Sequence, residues 1–222
     1  MTESTLDSLT AIAGSVSRET FEDLRSFQDY FLKWNRSINL AAPSTLKDVW
    51  TRHILDSAQI FRIRPDARRW LDLGSGGGFP GLIIAFLLRD RGEGAIHLVE
   101  SNRKKAAFLQ AASARYHLPT HVHADRAEHL VGQINMPDVV SARALAPLSL
   151  LLKLAEPWLT AGAHGLFHKG RDYRAEIEET HDAWKFDLVE HRSRIDPDGV
   201  ILEISNLRRT SDGSGQSAAR HS

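Results

Sequence analysis

The chain has 222 residues, 42% of them hydrophobic, and no run of about 18 apolar residues, so it can bury one sizeable core and contains no stretch suited to crossing a membrane. Cysteine is absent, which removes disulfides, thiolate zinc sites and any mechanism built on a Cys nucleophile. Lysine plus arginine equals aspartate plus glutamate at 28 each, so a nucleic-acid partner would have to be met by a local cluster of basic residues.

The opening segment MTESTLDSLTAIAG has acidic residues, no Lys or Arg before Arg18 and no long apolar core. It does not read as a secretory signal, so a cytoplasmic location is expected, with residues 1–16 flexible. Ser17 is placed to cap a helix in which Phe21, Leu24, Phe27, Phe31 and Trp34 recur near a 3.6-residue period, an aromatic stripe suited to core packing. A second helical pattern follows the punctuation Ala41-Ala42-Pro43-Ser44 and runs from Thr45 to Phe61, so residues 17–68 read as a helical extension.

From about Arg69 the pattern changes. Short apolar runs WLDLG (70–74), AIHLVE (95–100), THVHAD (120–125), DVVSARA (138–144) and GAHGLFHKG (162–170) alternate with the helix-length segments GLIIAFLLRD, RKKAAFLQAASARY and PLSLLLKLAEPWL. This is a βαβ repeat, and it predicts an α/β fold with a parallel Rossmann-like sheet and helices on both faces over residues 69–207. After the helix-like DYRAEIEETHDAW, the runs FDLVEHRSRI and GVILEISNL flank the turn signal Asp196-Pro197-Asp198-Gly199 and predict a closing antiparallel hairpin. The tail 208–222, rich in Ser, Gly and Arg, is expected to be disordered. Residues 17–207 are expected to form a single domain.

The stretch LDLGSGGGFPG, Leu71 to Gly81, leaves the first strand and opens a helix, where bare backbone lets a ligand approach and helix N–H groups favour negative charge. Gly74 and Gly76 fit a dinucleotide fingerprint, but Phe79 stands where that fingerprint wants Gly or Ala. The spacing that fits is Asp-x-Gly-x-Gly-x-Gly, from Asp72 through Gly74, Gly76 and Gly78, and it resembles the S-adenosylmethionine loop of class I methyltransferases. Glu100 closes the next strand, where a carboxylate can accept both ribose hydroxyls.

The ordered set NRSINL (35–40), TRHILDS (51–57), DLGSGGGFPG (72–81), RAE (126–128), SARA (141–144) and HKG (168–170) resembles the glucose-inhibited division protein B family, the small-subunit rRNA guanine-N7 methyltransferases. The resemblance spans about residues 20–205. It implies an enzyme that methylates N7 of one guanine, guanine 527, in bacterial 16S rRNA, using S-adenosyl-L-methionine, with 16S rRNA or the small ribosomal subunit as partner; separately from the resemblance, a monomer is expected. It further implies cofactor contacts at Gly74, Phe79, Ala127, Glu128 and Arg143. Gly77 and Phe79 stand where relatives often carry proline and leucine, and Ala127 replaces a usual valine; neither change removes a chemical group.

Guanine N7 has an in-plane lone pair and no proton to lose, so no general base is needed and no catalytic residue is assigned; orientation and electrostatics would carry the reaction. Pyrimidine C5 chemistry lacks its Cys, and exocyclic-amine chemistry lacks its Asn/Asp-Pro-Pro-aromatic string. RNA contact needs positive charge, and the candidates are Arg36, Arg52 with His53, the trio Arg103, Lys104 and Lys105, and Lys169 with Arg171. Lys169 is favoured because it lies at the carboxyl edge of the sheet. His121 and His123 share a strand face with His129 further on, but a metal site is not expected. The alternatives are a small-molecule methyltransferase on the same fold and a non-catalytic RNA- or nucleotide-binding module, with NAD binding third.

Overall fold

A computed structural model describes residues 5–210. Seven strands form one sheet: β1 (Arg69–Leu73), β2 (Ala95–Val99), β3 (Thr120–His123), β4 (Val139–Arg143), β5 (His164–Lys169), β6 (Trp184–Arg192) and β7 (Val200–Arg209). Their order is β3-β2-β1-β4-β5-β7-β6. The first five run parallel, and β7 pairs antiparallel with both β5 and β6, so the predicted hairpin closes the sheet.

Strand alternation divides the apolar residues between two cores. Trp70, Ile96, Leu98, Val139, Leu166 and Ile201 face one core. Against it pack α1 (Leu6–Ala13), α2 (Arg18–Asn35), α4 (Gly81–Arg91) and α5 (Arg103–Arg115). Leu71, Leu73, Val140, Phe167 and Leu202 face the other, beneath α6 (Leu148–Leu159) and α7 (Tyr173–Glu178). Between the sheet and α2, α4 is buried from Gly81 to Leu88, as its unbroken apolar sequence requires, and Gly92 at φ +78° ends it in the left-handed conformation.

Ser17 caps α2 as read from the sequence, its Oγ accepting the Thr20 N–H at 3.1 Å, and Leu24, Phe27 and Phe31 are fully buried. Phe27 and Phe31 touch Phe79 and Phe108, which joins the extension to the glycine loop and α5. Asn102 caps α5, accepting from the Lys104 and Lys105 amides at 3.0 and 3.2 Å.

Four expectations need correction. The N-terminal segment is not flexible from residue 5 onward: Thr5 and Ser8 form a reciprocal capping box, and Leu9, Ile12 and Ala13 of α1 are buried. The helix expected from Thr45 to Phe61 is a mixed one, with 3₁₀ geometry at Pro43–Asp48, a wider π turn at Trp50–Leu55, the short α3 (Asp56–Ala58) and a final 3₁₀ turn at Gln59–Arg62. The helix-like 172–184 stretch is helical only over α7, where Ile177 is the buried apolar residue, and Trp184 already belongs to β6. The tail starts later than residue 208, because β7 continues to Arg209, whose guanidinium pairs with Glu156 at 2.6 Å and lies 5.2 Å over Trp184; residues 211–222 lie outside the described ones.

Candidate active site

Strand order reverses between β1 and β4, and in open α/β sheets the crevice at the carboxyl ends of such strands is where ligands bind. A cleft of about 710 Å³ opens there. Its floor is the glycine loop from Gly74 to Gly77 with Phe79, its far wall is Val99, Glu100, Ser101 and Lys105, and Asp125 to Glu128 flank it. Arg143, Ala144 and Leu145 approach from β4, and Leu40, Ala41, Ala42, Thr45 and His53 of the extension form its roof.

The loop is tied down at both sides. The Ser75 amide donates to the Val99 carbonyl at 2.9 Å, Ser75 Oγ donates to the Asp72 carbonyl at 3.0 Å, and the Gly78 amide returns to the Ser75 carbonyl at 2.7 Å. Gly74 has φ +67°, a backbone conformation that calls for glycine, and a Cβ there would displace the end of the Leu145 side chain, whose Cδ1 lies 2.5 Å away. Glu100 spans the cleft wall: Oε2 accepts the Gly76 N–H at 2.9 Å and Oε1 accepts the Asn102 N–H at 2.7 Å. Each oxygen keeps further lone-pair capacity.

Asp72 and Gly78 are not lining residues. Asp72 is fully buried on the face opposite Leu71 and Leu73, where Ser141 Oγ donates to its Oδ1 at 2.7 Å and Oδ2 lacks a hydrogen-bond partner. Burial pushes its carboxyl up to about 7 despite the Ser141 hydrogen bond. Its place is therefore under the loop rather than against a ligand. Gly78, at φ +85°, is packed so closely on Leu82 that a Cβ would sit 2.4 Å from Leu82 Cδ1.

Lys169 is likewise not a solvent-facing cation. Its side chain is 6% exposed, and Nζ donates to the Ala146 carbonyl at 2.8 Å and to Glu176 Oε2 at 2.6 Å. The same Glu176 oxygen accepts the Leu148 N–H at 2.6 Å, so the pair caps α6 and fastens α7 to it. Arg171, just after β5, pairs with Asp198 in the turn between β6 and β7. Arg36 and Arg52 are exposed but do not line the cleft; among the basic residues Lys105, Arg126 and Arg143 do.

Arg143 lines the cleft but is bound to the extension. Its Nη2 donates to the Arg52 carbonyl at 2.7 Å and to His53 Nδ1 at 3.2 Å, and Nε faces Asp56 Oδ2 at 3.3 Å. His53 Nε2 meets Thr45 Oγ1 at 2.9 Å, and its ring stacks on Phe79 at 4.9 Å. Burial first, then the Arg143 and Arg52 charges, lower the imidazole to about 4, so it is neutral near pH 7. A neutral ring offers no charge to a phosphate, and both of its nitrogens already face protein partners, Arg143 and Thr45.

Among the described residues no cluster of three or more ligating side chains is arranged to hold a metal ion. His97, His121 and His123 stack across β2 and β3, with His97 Nδ1 2.8 Å from His123 Nε2. No helix among the described residues is long and apolar enough to cross a membrane.

The profile of the family described as GidB, rRNA small subunit methyltransferase G, matches residues 20–196. The chain belongs to that family. Its relatives include the ribosomal RNA small subunit methyltransferase G of Chelativorans sp. (strain BNC1), 61% identical over 201 residues that cover 90% of this chain and 96% of the relative. The namesake from Brucella canis is 57% identical over 206 residues, covering 93% and 97%.

Among solved structures, the cofactor-bound Rv0187 from MTB superposes with a TM-score of 0.56 at 16% identity, covering 89% of this chain and 93% of that one. The O-methyltransferase from Bacillus cereus in complex with SAH gives 0.56 and 16%, covering 81% and 90%. At such identity the likeness concerns the fold alone, and that fold is the class I methyltransferase sheet read from the sequence.

The sequence pointed to Gly74, Gly76, Phe79, Glu100, Ala127, Glu128, His53 and Arg143, and the fold brings all eight to one cleft. Sequence reasoning missed Leu40 to Ala42 and Thr45 of the roof, and Leu145. The Ala144-Leu145 turn has no glycine to mark it: Ala144 takes φ +52° and sets Leu145, 39% exposed, at the cleft wall.

Proposed function

We propose that this protein transfers the methyl group of S-adenosyl-L-methionine to N7 of one guanine, guanine 527 by family resemblance, in bacterial 16S rRNA. The observation that supports it most is the cleft between Glu100 and Arg143 at the reversal point of the sheet, in a chain belonging to an rRNA small subunit methyltransferase family. When bound, S-adenosylmethionine supplies a methyl group already activated by its sulfonium.

The residues present suit that molecule. Glu100 would accept the ribose hydroxyls on the lone pairs not used by Gly76 and Asn102. Val99, Ala127 and Leu145 offer apolar surface to a purine, with Glu128 at the rim, and Arg143 offers positive charge to a carboxylate. The glycine loop leaves its backbone open to close approach. No residue needs to take a proton, since guanine N7 has none to give up, and the work of the chain is to hold donor and acceptor in line.

On the acceptor side, N7 lies on the major-groove edge, so the base has to be unpaired or turned out of its stack. Lys105 and Arg126 at the cleft, with exposed Arg52 and Arg36 on the extension, would meet the flanking phosphates.

The test is transfer from isotopically labelled S-adenosylmethionine to naked small-subunit RNA and to assembled subunits, both from cells lacking the protein. The label is located by strand cleavage at N7-methylguanine. One labelled guanine is expected. Label on another base or atom, or none with either substrate despite cofactor binding, overturns the acceptor assignment.

A further inference from the structure

We propose that His53 is a positioning residue for the cofactor: its two ring nitrogens lock the extension onto the cleft by holding Arg143 on one side and Thr45 on the other. The inference rests on the cofactor reading given above and adds to it the device that fixes the roof.

Four separate parts of the chain meet at this ring. Phe79 of the glycine loop stacks on one face at 4.9 Å, and Phe31 of α2 lies 6.3 Å away. Arg143 comes from the end of β4, and Thr45 from the 3₁₀ segment before the π turn. Thr45, His53, Phe79 and Arg143 all line the cleft, so this contact network is part of its surface rather than remote support.

The tautomer follows from the partners. A guanidinium has donors only, so Nδ1 must be the acceptor toward Arg143. Nε2 then carries the proton and donates to Thr45 Oγ1, and Thr45 Oγ1 in turn donates to the Ala42 carbonyl at 2.8 Å. One chain of hydrogen bonds thus runs from Arg143 through His53 and Thr45 to Ala42, and three of its four members approach the cleft from the extension. Burial and the cations Arg143 and Arg52 disfavour protonation of this ring, and only Asp48 opposes them, so the acceptor role at Nδ1 is kept in the neutral range of pH.

An inert core histidine would do nothing that a phenylalanine could not. A positioning histidine differs: without Nδ1, the Arg143 guanidinium keeps the Arg52 carbonyl and Asp56 but loses its tie to the ring, and Thr45 loses its donor. Two variants separate ring from nitrogen. His53→Phe keeps an aromatic face for Phe79 and removes both hydrogen bonds. His53→Asn removes the ring and places an amide oxygen near the position of Nδ1, able to accept from Arg143.

The experiment measures S-adenosylmethionine affinity by calorimetry, RNA KM and kcat at saturating cofactor, and melting temperature for wild type and both variants. His53→Phe is expected to keep the melting temperature and the RNA KM while weakening cofactor affinity about tenfold, the scale of one hydrogen bond to a charged group. His53→Asn is expected to melt earlier yet to recover most of the affinity. Wild-type affinity in His53→Phe, or affinity that merely follows melting temperature across the two variants, overturns the proposal. A wild-type protein that does not bind S-adenosylmethionine at all overturns the cofactor reading itself, and the proposal with it.

Discussion

The floor and the roof of the cleft are built on different principles. The floor comes from one βαβ unit, where Gly74 to Gly78 and Glu100 sit at consecutive strand ends and are joined through the loop's backbone amides, Ser75 to the Val99 carbonyl and Gly76 to the Glu100 carboxylate. The roof comes from the extension, and it is held by side chains: His53, Arg143, Thr45 and the Phe27 and Phe31 contacts to Phe79. A backbone-built floor tolerates changes of side chain so long as glycine and one carboxylate remain, whereas a side-chain-built roof depends on particular polar atoms and their protonation.

The largest effect should come from attacking the floor. Gly74→Val would place a branched side chain at φ +67° against Leu145, and cofactor affinity should fall at least about a hundredfold while the circular dichroism of the fold persists. Calorimetric titration checks this, and normal affinity in that variant would break the assignment of the loop.

Next comes the roof, through pH. The His53 ring binds its proton at about 4 in the folded chain and at 6.5 in the unfolded one, so on acidification the unfolded state takes the proton first. The buried neutral ring therefore carries no protonation penalty above about pH 6.5, and as pH falls toward 4 the fold loses about 3 kcal/mol relative to the unfolded chain. Asp72, raised to about 7, has the opposite sign: its neutral form is favoured in the fold, so acidification through 7 toward 3.8 stabilises. Urea midpoints of wild type and His53→Phe, compared at pH 7 and pH 4.5, isolate the histidine, and the gap between them should shift in favour of the Phe variant at the lower pH.

Lys169→Ala sharpens the contrast between structural and RNA-facing cations. It should cost about 2 kcal/mol of stability by leaving Glu176 without its buried partner, yet leave the salt dependence of RNA binding unchanged. Denaturation and binding at several salt concentrations decide it; a flatter salt dependence would return Lys169 to the RNA surface. The smallest effect belongs to α1, ahead of the extension: Thr5→Ala removes its capping box and should lower stability by about 1 kcal/mol without touching cofactor affinity.

How much of this was legible in the sequence follows the same division. The strands, the glycine loop, Glu100 and the hairpin are coded by short-range pattern, and each was found where it was sought. Asp72 was misassigned because the spacing of the motif was read without strand alternation, which sets it on the same face as Trp70 and away from Leu73 at the cleft. Lys169 was misjudged because its partner Glu176 arrives only after the chain has turned into α7, and no local signal announces that contact. The roof residues Ala41 and Ala42 precede, and Thr45 lies within, an irregular helical segment that changes from 3₁₀ to π geometry, and no single period describes it. The helix α1 was overlooked although Thr5 and Ser8 were in plain view, because a short apolar segment of three buried residues gives little periodicity to read.

The burial of α4 sets how firmly the floor of the cleft is held. Because Gly81 to Leu88 have no solvent-facing side, their amides should exchange with deuterium only when the whole domain unfolds. The glycine loop is the lead-in to that helix, so the surface that meets a ligand is fastened to an element expected to open only with the whole domain.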